Sequence, residues 1–77
     1  MKKKDFLLLL DDLIEVEPNT LTGVEVLRDL DEWDSLAVLG FIALVDEHLG
    51  IQVAPKGIVG CRTVDDLTGL LGNQVSE

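Results

Sequence analysis

Ser35 stands between Asp34 and Leu36, directly before an apolar run, and is the residue in this sequence best placed to carry chemistry. A short oxygen-bearing side chain at such a point accepts a hydrogen bond from an orphan amide of a helix's first turn, so Asp34 or Ser35 reads as an N-cap. The other reactive residue types offer less. His48, the one histidine, falls near the end of the same predicted helix, where a partly cationic imidazole suits the dipole, and it reads as a surface position. A zinc site lacks ligands. Asp29, Asp31 and Trp33 have the spacing of a calcium loop, but Trp33 takes the third ligand position and Asp34 the place of the required glycine, so no such loop forms. Cys61 has no base at a readable spacing and reads as a buried structural thiol. No constellation supports catalysis, and the chain reads as a non-enzyme.

The elements that would position Ser35 follow from apolar periodicity. From Asp5 to Glu15, Phe6, Leu9, Leu10 and Leu13 recur at helical spacing, which predicts an amphipathic first helix ended by Pro18, Asn19 and Thr20. Residues 17–34 are too long a connection to be structureless in so small a domain. Val24, Leu27 and Leu30 are the expected anchors of a short helical turn within it. The second helix is predicted over Leu36 to Leu49, with Gly50 as the left-handed residue after it and Ile51 making the accompanying apolar contact. Pro55, Gly57 and Gly60 limit residues 52–62 to a helical turn at most. Thr63 and Asp66 have the spacing of a capping box, and Val64, Leu67, Leu70 and Leu71 give a last helix one apolar face, which Gly69 and Gly72 weaken toward its end. The expected fold is therefore all-α: one domain over residues 1–77, a small three- to four-helix bundle with a long loop between the first two helices.

The second helix is anomalous. Val38, Ile42, Val45 and Leu49 form one stripe, assigned to the core, yet the opposite side carries Leu36, Gly40, Ala43 and Leu44, with Ala37 beside them and only Glu47 charged. Three or four helices are too few to surround one of their number, so part of this face is expected to meet a partner. Ala37, Gly40 and Ala43 would allow close approach, and Leu36 would serve as an anchor.

Composition bounds the partners. The 77 residues carry 15 acids, 6 bases and a formal charge of −9, which opposes binding to nucleic acid or an anionic membrane. Lys2, Lys3 and Lys4 are the one basic cluster and read as a solvated tail. Residues 5–47 hold twelve acids against the single base Arg28, so the field belongs to the first two-thirds of the chain. It serves solubility and can steer basic partner surfaces. Asp11 and Asp12 cut the run Phe6 to Leu10 too early for an export signal or a membrane span. A single cysteine rules out a disulfide framework and suits a reducing cytosol, so a cytoplasmic location is the expectation, and a monomer is expected beside it.

Asp34-Ser35-Leu36 at the start of the second helix of a small acidic helical domain resembles the attachment motif of the acyl carrier proteins. Val45-Asp-Glu-His-Leu-Gly-Ile51 is similar to the family's helix end followed by Gly-Ile. Thr63-Val64 with Asp66-Leu67 is similar to the start of its final helix, and Leu27, Leu30 and Trp33 stand where its loop before the serine carries apolar anchors. The resemblance covers essentially the whole chain. It implies that Ser35 is joined to 4′-phosphopantetheine, taken from coenzyme A by a phosphopantetheinyl transferase that uses a divalent metal, with Asp34 and Leu36 completing the attachment motif. The terminal thiol of the arm then holds an acyl or related group as a thioester for acyl-loading and acyl-processing enzymes. A helix N-terminus suits the phosphodiester through its unpaired amides and dipole. Tethering raises the effective concentration of the cargo at each enzyme.

The resemblance also implies an acidic docking surface around the serine, and here the chain departs from the pattern. Ordinary fatty-acid carriers place acids a few residues after the serine, where this chain has Ala37 and Gly40. Asp29, Asp31, Glu32 and Asp34 put the charge before Ser35 instead, and Pro55 to Cys61 holds Lys56 and no acid. The expectation is a specialised carrier in a lipid, polyketide or similar biosynthetic pathway. Its partners would read Asp29, Asp31, Glu32, Leu36, Ala37, Gly40, Ala43 and Glu47. Two alternatives stand beside it: an aminoacyl or peptidyl carrier, and a non-carrier acidic interaction module in which Ser35 is only a cap.

Overall fold

In the computed structural model, which describes residues 1–76, the chain forms four α-helices, α1 (Lys3–Leu13), α2 (Ser35–Leu49), α3 (Pro55–Val59) and α4 (Val64–Gly69), with 3-10 turns at Leu27–Asp29 and Gly72–Gln74. There is no strand among the described residues, and the architecture is all-α. Phe6 and Leu10 of α1, with Ile14 just after it, face Ala37, Phe41 and Val45 of α2. Ile58, Val64, Leu67 and Leu71 close the core from the other side. Phe6 meets Phe41 edge to face, with centroids 6.1 Å apart, and Trp33 meets the same ring at 6.2 Å.

The buried line of α2 differs from the expected stripe. Phe41 is wholly buried and Ala37 nearly so, whereas Val38, Ile42 and Leu49 are half-buried at the flank. Only Val45 of the expected four is fully enclosed. The helix is apolar over most of its circumference, so periodicity alone could not fix its rotation. The largest side chain did, because the Phe41 ring offers the greatest area to bury.

α1 begins earlier and ends earlier than its periodicity indicates. Ile14 follows its last residue, and Glu15 turns the chain at φ 60°. Its end is secured by Asp11, a carboxylate only 1% exposed, whose two oxygens accept the amide hydrogens of Asn19 at 2.9 Å and Leu21 at 3.0 Å. The same acid that interrupts the apolar run thus ties the long loop to α1. The lysine segment is no solvated tail. Lys3 lies in α1 and pairs with Asp65 at 2.7 Å, and the Lys3 amide donates to the Ser76 carbonyl at 2.6 Å.

The long loop is ordered by the far end of the chain. Val26 bridges Thr63 in antiparallel fashion, the Leu27 amide donates to Arg62 at 2.8 Å, and the Asp65 amide donates to Gly23 at 2.8 Å. Leu27 is buried and Leu30 half-buried, as their anchoring role requires, but Val24 is 74% exposed and anchors nothing. The Glu25 carboxylate holds this bend. Partial burial pulls its pKa upward, but hydrogen bonds from the Gly23 and Thr22 amides and the Thr22 hydroxyl prevail and keep it below the usual range.

Helix ends follow local chemistry. Gly50 adopts φ 68° and its amide reaches the Asp46 carbonyl, the left-handed termination expected of it. Pro55 starts α3, a five-residue helix where the sequence allows one turn. Thr63 and Asp66 form a complete capping box at α4. Past Gly69 the chain does not simply fray: Leu71 is buried, a 3-10 turn follows, and Ser76 bridges Lys2.

Candidate functional site at the start of the second helix

Asp34 is the N-cap of α2, in extended conformation, and its Oδ1 accepts the Ala37 amide at 2.9 Å. The Asp34 carbonyl accepts the Val38 amide at 3.0 Å and begins the helical ladder. The choice between Asp34 and Ser35 as cap is thereby settled for the aspartate. Ser35 is the first helical residue, exposed, and its hydroxyl makes no hydrogen bond to the described residues. The amides of Ser35 and Leu36 likewise reach no acceptor among them. A nucleophile-sized hydroxyl and two open amides therefore sit together at the positive end of a fifteen-residue helix.

The loop holds this geometry from behind. The Trp33 amide donates to the Leu30 carbonyl at 3.0 Å, and the half-buried indole rests edge-on against Phe41. Asp34 is thus fixed between an anchored ring and the helix that it caps.

Next to Ser35 an open groove of about 580 Å³ runs between the end of α1 and the start of α2. Leu13, Leu36, Leu39 and Gly40 give it an apolar surface, and Glu15, Glu32 and Asp34 bring three carboxylates to it. Gly40 has a specific reason to lack a side chain: a Cβ there would come within 2.5 Å of the Leu13 methyl, so its absence lets α1 lie close to α2. Leu36 and Leu39 are 75% and 61% exposed and form an unpartnered apolar surface, of which Leu36 is the expected anchor.

Of the expected partner surface, Glu32, Leu36, Ala37 and Gly40 meet at this groove, with Asp34 between Glu32 and Leu36 in sequence. Asp29 and Asp31 are exposed on the preceding loop but do not line it, and Ala43 and Glu47 are exposed farther along α2. Both small residues reach the groove with little exposure: Ala37 is only 7% exposed because it faces the core, and Gly40 is half-buried beneath Leu13. Leu44 is also half-buried. Leu39, Leu13 and Glu15 were missed. Leu39 stands three residues after Leu36 and so shares its face, a signal present in the sequence; the contribution of α1 needed the packing.

The remaining reactive groups stand apart. Cys61 is half-buried, its thiol donating toward the Gly57 carbonyl at 3.5 Å, and burial followed by the nearby Asp66 charge raises its pKa. His48 is exposed in the last turn of α2. Among the described residues no cluster of three or more His, Cys, Asp or Glu side chains is arranged to hold a metal ion, and no helix is long and apolar enough to cross a membrane. Comparison with known proteins found no matching family model, no matching curated protein and no matching solved structure.

Proposed function

We propose that this chain is a carrier domain modified at Ser35, which presents an acyl-type group to partner enzymes on a 4′-phosphopantetheine arm. The observation that carries the reading is the division of labour at the start of α2: Asp34 performs the capping, so the Ser35 hydroxyl is free of structural duty and faces solvent. Two further features support it. The open Ser35 and Leu36 amides and the helix dipole suit a phosphodiester. The adjoining acid-rimmed groove with Leu36 and Leu39 suits a basic enzyme surface with an apolar anchor.

In the attachment reaction the Ser35 oxygen would attack the β-phosphorus of coenzyme A and lose its proton, with adenosine 3′,5′-bisphosphate leaving. The arm supplies a thiol that holds cargo as a thioester. This chain's residues contribute position: Asp34 fixes the helix start, Trp33 fixes Asp34, and Leu36 offers an apolar contact to the transferase. The specialised pathway is inferred from the placement of Asp29, Asp31, Glu32 and Asp34 before Ser35, where ordinary fatty-acid carriers have acids after it.

A second reading, an apolar docking module with no arm, draws on the exposure of Leu36 and Leu39. Incubation with coenzyme A, magnesium and a broad-specificity transferase separates the two by intact mass. One added phosphopantetheine group, absent from Ser35→Ala, supports the carrier; an unchanged mass for the folded protein rejects it.

A further inference from the structure

A second groove, of about 620 Å³, has the opposite chemistry. It lies where the long loop meets the end of α3 and the segment before α4, and is lined by Val26, Arg28, Val59, Gly60, Cys61 and Arg62. Two arginines and no acid line it, in a chain with 15 acids and 6 bases. Their meeting is a product of the fold, since 33 positions separate them in sequence. The Val26–Thr63 bridge and the Leu27-to-Arg62 hydrogen bond bring the two segments side by side. Both arginines are exposed, and the one ion pair among the described residues, Lys3 with Asp65, involves neither. Arg62 does lie near Asp66, but Oδ2 of that acid is occupied by the Arg62 and Thr63 amides.

The apolar part of the surface is equally out of place. Val59 is 83% exposed, more than Leu36, and closes a helix too short to need it. An exposed valine sharing one groove with two arginines is the composition of a docking spot, in which apolar contact supplies area and arginine supplies directed pairing. A domain of net charge −9 repels polyanions at long range, which disfavours nucleic acid, yet this groove is lined by two arginines and no acid, with Asp66 near Arg62 but outside the lining. A short segment with alternating carboxylate and apolar side chains satisfies both constraints.

We propose that the Arg28–Val59–Arg62 groove docks an acidic, apolar-anchored peptide segment of another protein. The domain then has two faces of opposite sign: an acidic one beside Ser35 and a basic one across α3. This inference does not rest on the carrier reading, and its test uses the chain without any arm.

The test is a titration of the ¹⁵N-labelled protein with a capped pentapeptide alternating aspartate and leucine, with a lysine–leucine peptide and inorganic phosphate as controls. Saturable amide shifts should centre on residues 26–28 and 59–62 with the acidic peptide. They should weaken at least about tenfold in Arg28→Glu/Arg62→Glu and in Val59→Ser, and diminish as salt is raised. All three positions are exposed, and an unchanged circular dichroism spectrum confirms that each variant folds. The proposal fails if no shifts gather there, if the lysine peptide produces the same shifts, or if charge reversal leaves them intact. It fails equally if phosphate alone reproduces them, which would make the groove a bare anion site. The same shifts appearing with protein concentration alone would assign the groove to a second copy of this chain and overturn the proposal as stated.

Discussion

The Asp34 carboxylate accepts the Ala37 amide hydrogen at 2.9 Å, and Ser35, lying between the two, is left without a capping role. The sign of two simple substitutions follows. Asp34→Ala removes an N-cap and should lower stability by about 1 kcal/mol, whereas Ser35→Ala at an exposed first helical position should stay within about 0.5 kcal/mol of the parent. Urea unfolding of both variants measures this. The reverse order would mean that the serine caps α2 and is not at liberty to be modified.

Phe41 joins the first helix and the loop to α2 through Phe6 and Trp33. Phe41→Ala should cost about 3–5 kcal/mol, enough to unfold much of so small a domain at ordinary temperature, while Ile42→Ala, at the half-buried flank, should cost clearly less. Thermal melts of the pair decide which stripe of α2 is the core. Equal losses would restore the stripe that periodicity indicates.

Asp11 is a structural acid. Replacing it with alanine leaves the Asn19 and Leu21 amides without their acceptor, and the Leu21 amide is buried, so the loss should be about 1–3 kcal/mol. Hydrogen exchange at these two amides should quicken before that of the α2 amides. Unchanged protection at Asn19 and Leu21 would contradict the tie between α1 and the loop.

Acid should weaken the fold through Glu25 and Asp66. Hydrogen bonds from the Arg62 and Thr63 amides lower the Asp66 pKa, and the bonds at Gly23 and Thr22 outweigh burial to lower that of Glu25. A depressed folded-state pKa means that the unfolded chain binds protons first. The stabilisation is therefore complete above the ordinary carboxylate pKa of about 4 and is lost as pH falls through the depressed folded value. Unfolding midpoints measured from neutral pH down to roughly pH 2 should fall, and Asp66→Asn should make the decline shallower. An Asp66→Asn curve parallel to that of the parent would refute the assignment.

The readable parts of the fold are those set by local chemistry. The capping box at Thr63, the left-handed Gly50 and the helical period of Phe6 and Leu10 each need only neighbours in the chain. What escaped the sequence depends on contacts between distant segments. The loop is ordered by Val26 against Thr63, the burial of Asp11 becomes sensible only when Asn19 and Leu21 arrive, and Arg28 faces a groove with Arg62 only after that loop has docked. The α2 face was half legible. Leu36 was identified as exposed, but a helix apolar on most sides carries too weak a directional signal to separate Ala37, which is buried, from Leu39, which is not.

The Ser35 hydroxyl is the proposed modification site, and mass spectrometry tests that role most directly. The folded protein is incubated with coenzyme A, magnesium and a broad-specificity phosphopantetheinyl transferase, then fragmented to locate any added group. The prediction is a single phosphopantetheine on Ser35, with none on Ser35→Ala and none on Ser76. Protein whose circular dichroism shows intact helices, but which gains no mass, or which gains it at any other residue, would contradict the carrier reading.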